Sequence, residues 1–166
     1  MARVLIIAYG NPLRSDDGVA WRAADQLDGM VSRPDVEILR LHQLAPELAE
    51  TVSRFRAVIF VDAAEANGSP GGVPGGVPGG VPGEVRCEEI VLSAASTRFS
   101  HQLSPQAVLS LAAQLYQAKP RAFRATLAGQ SFEHGEALSP AVLAALPSLV
   151  AQIETLVQRF CSANGG

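Results

Sequence analysis

Residues 4–18 read VLIIAYGNPLRSDDG, and this stretch decides the fold class. Its first five residues are aliphatic or small, so they predict a fully buried strand of the kind found in parallel sheets. The Gly-Asn-Pro turn at residues 10–12 ends that strand, and Ser15 is a candidate helix N-cap with Asp16 and Asp17 in the first turn. A strand, a tight turn and a helix form the typical opening of an α/β domain.

The rest of the chain alternates apolar strands with amphipathic helices. Strands are predicted at residues 36–41, 57–61, 84–92 and 123–127, and helices at residues 46–53, 105–116 and 139–160, the last kinked or divided at Pro147. The run at 57–61 is continuously apolar and ends on Asp62, which indicates a central strand, whereas alternation at 84–92 indicates an edge strand. Five strands interleaved with helices favour a three-layer α/β/α sandwich with a five-stranded, mostly parallel (mixed) sheet, phosphorylase/hydrolase-like.

One segment departs from this alternation. The chain of 166 residues fits one domain, residues 1–166, but residues 69–83 repeat Pro-Gly-Gly-Val between the third and fourth strands. Proline removes backbone donors and glycine raises backbone entropy, so this segment cannot join a packed core. We expect a surface loop that tolerates change, with an elastic or recognition role as the alternative.

Composition excludes several classes of protein. The net charge is −3, from 13 basic and 16 acidic residues, and no basic run is present, so neither nucleic acid nor a membrane is an expected partner. The apolar run near the amino terminus is too short for a signal peptide or a membrane span. Cys87 and Cys161 lack Cys-x-x-Cys partners and are expected to be reduced. We expect a cytoplasmic monomer.

Polar side chains follow the first three predicted strands. Asn11, Asp16 and Asp17 follow the first strand, His42 the second and Asp62 the third. Because ligands of α/β sheets gather at the carboxyl ends of the strands, these side chains are expected at one edge. Each also has an ordinary structural explanation, since aspartates cap helices and start turns.

His101, which precedes the helix predicted at 105–116, completes a candidate site with Asp17 and Asp62. Mixed nitrogen and oxygen ligands suit nickel or zinc and do not suit calcium, although a lone histidine in this position is often structural. The sequence has no His-Glu-x-x-His helix, no Gly-x-Ser-x-Gly elbow and no Gly-x-Gly-x-x-Gly turn after the first strand. A standard zinc protease, a serine hydrolase and a dinucleotide enzyme are therefore not indicated.

Three segments, in this order along the chain, resemble the motifs of the endopeptidases that mature nickel–iron hydrogenases: residues 5–18, 59–63 and 100–105. Residues 42–48 and 131–136 look most like the branch that serves bidirectional, NAD(P)-linked hydrogenases. The resemblance covers nearly the whole chain apart from the Pro-Gly-Gly-Val repeat and the last few residues.

The resemblance implies an endopeptidase that removes the carboxyl-terminal extension of a nickel-loaded hydrogenase large-subunit precursor. By position, Asp17, Asp62 and His101 match the residues that contact the metal and support catalysis in that family. No resident cofactor is implied, because the nickel arrives with the precursor and is the recognition signal. Further candidates at the site are Asn11, Asp16 and His42.

Two departures from the family pattern concern the site. Asp17 stands where another branch commonly has glutamate. RLHQL at residues 40–44 replaces an Asp-Gly-Gly-Thr loop. This second change bears on substrate selectivity and makes His42 a candidate additional nitrogen ligand.

Two alternative functions stay open. A peptidyl-tRNA hydrolase would need an Asn/His pair after the first turn and a basic face, and a noncatalytic nickel-binding or hydrogenase-assembly module would hold the precursor without cutting it.

Overall fold

The protein is built around one mixed sheet of five strands. A computed structural model describes residues 4–30, 33–66, 80–93 and 103–162, so His101 and residues 69–79 of the Pro-Gly-Gly-Val repeat lie outside the described residues. The strands are β1 (Val4–Tyr9), β2 (Val36–Leu41), β3 (Ala57–Glu65), β4 (Val85–Ile90) and β5 (Arg121–Gly129). Their order is β2-β1-β3-β5-β4, and only β4 runs antiparallel to its neighbour. The predicted central and edge strands are confirmed.

Helices cover both faces of the sheet. They are α1 (Val19–Met30), α2 (Leu48–Ser53), α3 (Pro105–Tyr116) and α4 (Pro140–Ser162). Buried residues of α1 and α4 form one core cluster with the sheet, and those of α2 and α3 form a second cluster on the opposite face. The strands at the centre are therefore buried on both sides, which explains why β1 and the start of β3 are continuously apolar. The predicted three-layer α/β/α fold is confirmed.

Helix α4 is continuous, so the predicted division at Pro147 is wrong. Leu146, Leu149 and Val150 lie on either side of the proline and are all buried in the same core cluster, and this shared packing keeps the two halves in one helix. The helix is long and apolar enough to cross a membrane by those criteria alone. Seven of its apolar residues are instead buried in the core that the helix forms with α1 and the sheet.

The start of α1 differs from the prediction. Ser15 does not cap the helix: it has a left-handed backbone (φ +50°), and its hydroxyl donates to the carbonyl of Glu133, 2.8 Å away. A 3-10 helix, Ser15–Gly18, precedes α1 instead, and the residue before it, Arg14, makes no capping bond with its side chain. Two adjacent aspartates on this tight turn consequently point in different directions.

Strand β3 is longer than predicted. The sequence prediction ended it before Asp62, but pairing with β5 continues as far as Glu65 opposite Gly129. Strand β1 stops at Tyr9, so β3 projects beyond its neighbour on that side. Asp62 therefore lies in regular strand beside the place where β1 ends, and its position is fixed by backbone pairing to β5.

Candidate active site

A cleft of about 690 Å³ opens at the carboxyl ends of β1, β2 and β3. Four of the residues predicted from the sequence line it: Asn11, Asp17, His42 and Asp62. Asp16 does not line the cleft and is fully buried. His101 lies outside the described residues, so its predicted place beside the two carboxylates stays a prediction.

Asp17 is held by the turn that follows β1. Its Oδ2 accepts a hydrogen bond from the backbone N–H of Asn11 at 2.7 Å, while the Asn11 side chain accepts one from the N–H of Leu13 at 2.9 Å. Glycine is required at position 10 for the chain to pass this close to Asp17. Its φ is +144°, and a Cβ there would lie 2.2 Å from the carbonyl oxygen of Asp17. The backbone thus fixes one carboxylate oxygen of Asp17 at the cleft.

Asp62 is the more strongly perturbed carboxylate. Its side chain is 17% exposed, and burial raises the pKa of Asp62 to about 6. The negative charge of Asp17 raises this pKa further, whereas Arg124 and Tyr9 oppose the rise because they stabilise the ionised form. Two carboxylates that line one cleft, one of them largely buried, form a site that favours a cation.

Tyr9 and Arg124 are functional-site residues that sequence reasoning missed. Tyr9 follows the last β1 residue paired with β3, so it is the neighbour of Asp62 across the strands, and burial together with the Asp62 charge raises the pKa of the Tyr9 hydroxyl. Arg124 reaches Asp62 from β5, with Nη2 3.5 Å from Oδ2. A charged residue between Phe123 and Ala125 in a buried strand was the available signal.

Asp16 has a different task from its neighbour Asp17. Its carboxylate accepts hydrogen bonds from the N–H groups of Gln130 (2.8 Å), Ser131 (2.9 Å) and Ser139 (2.8 Å) and from the Ser139 hydroxyl (2.7 Å). Burial alone would raise the pKa of Asp16, but these hydrogen bonds lower it below the usual value. Asp16 is thus committed to the segment of residues 130–139 and is no free ligand.

This segment, residues 130–139, forms a wall of the cleft. Further backbone bonds join it to the first turn, from Ser15 N–H to the Gly135 carbonyl (2.7 Å) and from Gly135 N–H to the Leu13 carbonyl (2.8 Å). Phe132, which belongs to the segment, lines the cleft. The turn that carries Asp17 and the wall that carries Phe132 are therefore one hydrogen-bonded unit.

His42 directly follows β2 and lines the cleft. Its ring is exposed and meets the edge of Trp21 at 5.2 Å between centroids, and Trp21 is fixed in turn because its indole N–H donates to the Leu41 carbonyl at 3.0 Å. The imidazole is therefore oriented by aromatic packing while one side faces the cleft.

The remaining lining combines apolar and charged groups. The apolar part consists of Leu44, Ala45, Pro46, Ala63, Leu103 and Phe132, and Glu65 and Arg14 add one charge of each sign. Within the described ranges no three His, Cys, Asp or Glu side chains are grouped closely enough to hold a metal. His101, the third predicted metal contact, lies outside these ranges. Cys87 and Cys161 are free thiols, as predicted.

Comparison of the sequence with protein-family models and with curated proteins gives no match. Solved structures with the same fold include the hydrogenase maturating endopeptidase HybD of E. coli, with a TM-score of 0.71 and 21% identity over 95% of this chain and 93% of that one. The [NiFe] hydrogenase maturation protease HycI of Thermococcus kodakarensis has a TM-score of 0.70 and 22% identity over 95% and 93%. A hydrogenase 2 maturation peptidase of a Thaumarchaeota archaeon has a TM-score of 0.66 and 21% identity over 93% and 97%. The chain shares the fold of these proteins along nearly its whole length.

Proposed function

We propose that this chain is an endopeptidase that removes the carboxyl-terminal extension of a nickel-loaded hydrogenase large-subunit precursor. The observation that carries the proposal is the presence of two carboxylates, Asp17 and Asp62, in one cleft at the carboxyl ends of the central strands. The fold supports it, because the solved structures that share this fold along more than nine-tenths of the chain bear the names of hydrogenase maturation proteases.

Recognition of the substrate metal follows from the charge at the cleft. The charge of Asp17 raises the pKa of Asp62, which means that the two ionised carboxylates repel each other. A divalent ion between them removes this repulsion, whereas a precursor without nickel leaves it in place. We propose that Asp17, Asp62 and His101 contact the nickel of the precursor, so that only metal-loaded precursor binds productively, while His42 lines the same cleft.

The chemical step is the hydrolysis of one peptide bond. Nickel held by the precursor polarises the scissile carbonyl or the attacking water, and a carboxylate of the site accepts a proton from that water. The hydroxide oxygen bonds to the carbonyl carbon, the C–N bond breaks, and the proton passes to the departing amine. We assign the role of base to Asp62, because its side chain is largely buried and still lines the cleft.

The proposal also covers the cofactor, the oligomeric state, the location and the partner of the enzyme. The nickel comes with the precursor, so no resident cofactor takes part, and the enzyme acts as a cytoplasmic monomer. The His42-Gln43-Leu44 segment lines the cleft, where it can contact the precursor, and its resemblance to the bidirectional, NAD(P)-linked branch leads us to propose a hydrogenase of that type as the partner.

The test is incubation of the protein with a nickel-loaded, extension-bearing large subunit, followed by measurement of the intact mass of the subunit. We expect shortening by the wild type, and none by Asp17→Asn, Asp62→Asn or His101→Ala. Asp25→Asn is the matched control, because Asp25 is an exposed carboxylate of α1 that pairs with Arg40 away from the cleft. A precursor that stays bound but uncut would instead support a noncatalytic assembly module.

A further inference from the structure

Asp62 is contacted from two neighbouring strands, and these contacts define its orientation. Ala8 of β1 pairs with Val61 of β3, so the next residues, Tyr9 and Asp62, lie side by side on one face of the sheet, about 4.8 Å apart in the hydrogen-bonding direction. The two side chains interact electrostatically, since the charge of Asp62 raises the pKa of the Tyr9 hydroxyl. Tyr9 therefore lies beside the carboxylate on the β1 side.

Arg124 approaches from β5 and has to reach along the strand. Its register partner on β3 is Phe60, whereas the partner of Asp62 is Thr126, so the Arg124 side chain spans two residues, or about 6.6 Å, toward the carboxyl edge. Its Nη2 comes within 3.5 Å of Asp62 Oδ2. Arg124 does not line the cleft, although Asp62 and Tyr9 do. The guanidinium therefore contacts Asp62 from outside the cleft.

The contact between Arg124 and Asp62 is longer than a hydrogen-bonded ion pair. Charge-assisted bonds between arginine and carboxylate are about 2.7–2.9 Å long, so a separation of 3.5 Å leaves Asp62 Oδ2 free to accept further bonds. The Nε of Arg124 is buried and has no hydrogen-bond partner within the described ranges.

We propose that Tyr9 and Arg124 are positioning residues that hold the Asp62 carboxylate in the orientation from which it meets the substrate. This role rests on the proposed function and extends it from the carboxylates to the groups behind them. A carboxylate flanked by Tyr9 on β1 and Arg124 on β5 has fewer orientations open to it before the substrate arrives, and a small misplacement of a reacting group lowers the rate of the chemical step far more than it lowers binding.

The chain offers a matched control on the same strand. Arg121 is also a β5 arginine, but it pairs with Glu89 of β4 at 3.0 Å and stacks on Phe123, away from the cleft. Arg121→Gln and Arg124→Gln therefore remove the same charge from the same strand, and only the second removes a contact to Asp62.

The experiment measures kcat and KM for nickel-loaded precursor with wild type, Arg124→Gln, Arg124→Lys, Tyr9→Phe and Arg121→Gln. Misplacement of a reacting group predicts that Arg124→Gln lowers kcat about tenfold or more with KM nearly unchanged, that Tyr9→Phe lowers it by a smaller factor, and that Arg124→Lys recovers part of the loss. Arg121→Gln should stay within about twofold of the wild type. Equal kcat values for the two glutamine variants would overturn the role of Arg124.

A second measurement separates this inference from the proposed function. The carbon-13 resonance of the Asp62 carboxyl carbon, recorded at one alkaline pH, should move in Arg124→Gln and Tyr9→Phe and stay in place in Arg121→Gln. If the wild type leaves the precursor uncut, the proposed function fails, and this resonance still decides the positioning role. An Asp62 signal that is the same in all four proteins would refute it.

Discussion

Asp62→Asn should make the protein more stable at neutral pH, although it removes a residue of the candidate site. In the wild type, burial raises the pKa of Asp62 to about 6, from its ordinary value of 3.8. A folded-state pKa above the unfolded value means that the protonated acid stabilises the fold. This contribution is complete below the unfolded pKa and is lost as the pH rises through about 6.

The size of the effect follows from the two pKa values. Their difference of about 2 units, at 1.36 kcal/mol per unit, gives a loss of about 3 kcal/mol from fully acidic to alkaline pH. Asp62 is 17% exposed, so little of this is screened by solvent. Asparagine cannot ionise, and the stability of Asp62→Asn relative to wild type should therefore grow by about 2–3 kcal/mol between about pH 4 and about pH 7.5.

Urea unfolding of both proteins at a series of pH values measures this difference. With a slope of about 2 kcal/mol per molar urea, the midpoint of the variant should gain about 1 M on the wild type over that range. Glu136→Gln is the control, because it removes one negative charge from an exposed part of residues 130–139 and so reports the effect of net charge alone. A stability difference between Asp62→Asn and wild type that does not change with pH, or that falls as pH rises, would refute this account of Asp62.

Three further predictions concern the frame around the site. Asp16→Ala should destabilise the fold by about 3 kcal/mol or more in urea unfolding, since it leaves four donors of residues 130–139 without their buried acceptor, and an unchanged midpoint would contradict the anchoring role. Gly10→Ala should cost about 2 kcal/mol or more because of its positive φ and the contact with the Asp17 carbonyl, whereas Gly29→Ala, whose Cβ meets nothing within 4 Å, should be neutral or stabilising by up to about 1 kcal/mol. Phe60→Ala should lower stability by about 3–5 kcal/mol by opening a cavity in the second core cluster, and a smaller loss in thermal unfolding would mean that the site collapses.

The architecture could be predicted from the sequence because burial alone encodes it. A strand packed on both faces must be apolar throughout, and β1 and the first part of β3 are the clearest cases. The point where β3 ends could not be predicted in this way. Its last residues are held by pairing with β5, which is distant in sequence, and Asp62 therefore resembles a residue that starts a turn.

The site was predicted in part, and for a similar reason. Strand ends identified Asp17, His42 and Asp62 as neighbours, because parallel strands bring their carboxyl ends together. Asp16 has the same chemistry and the same place in the sequence as Asp17, and only the direction of each side chain on the 3-10 turn separates them. Tyr9 and Arg124 act through cross-strand register, which a single sequence does not reveal.

The hydrogen bonds of Asp16 have a consequence for synthesis of the chain. Its acceptor oxygens bind partners 114, 115 and 123 residues downstream. A nascent chain on the ribosome therefore carries its first aspartate pair long before the groups that order this pair exist. Until residue 139 has left the exit tunnel, Asp16 has no partners and the cleft lacks a wall. The cleft is consequently complete only after residues 130–139 have emerged, late in translation.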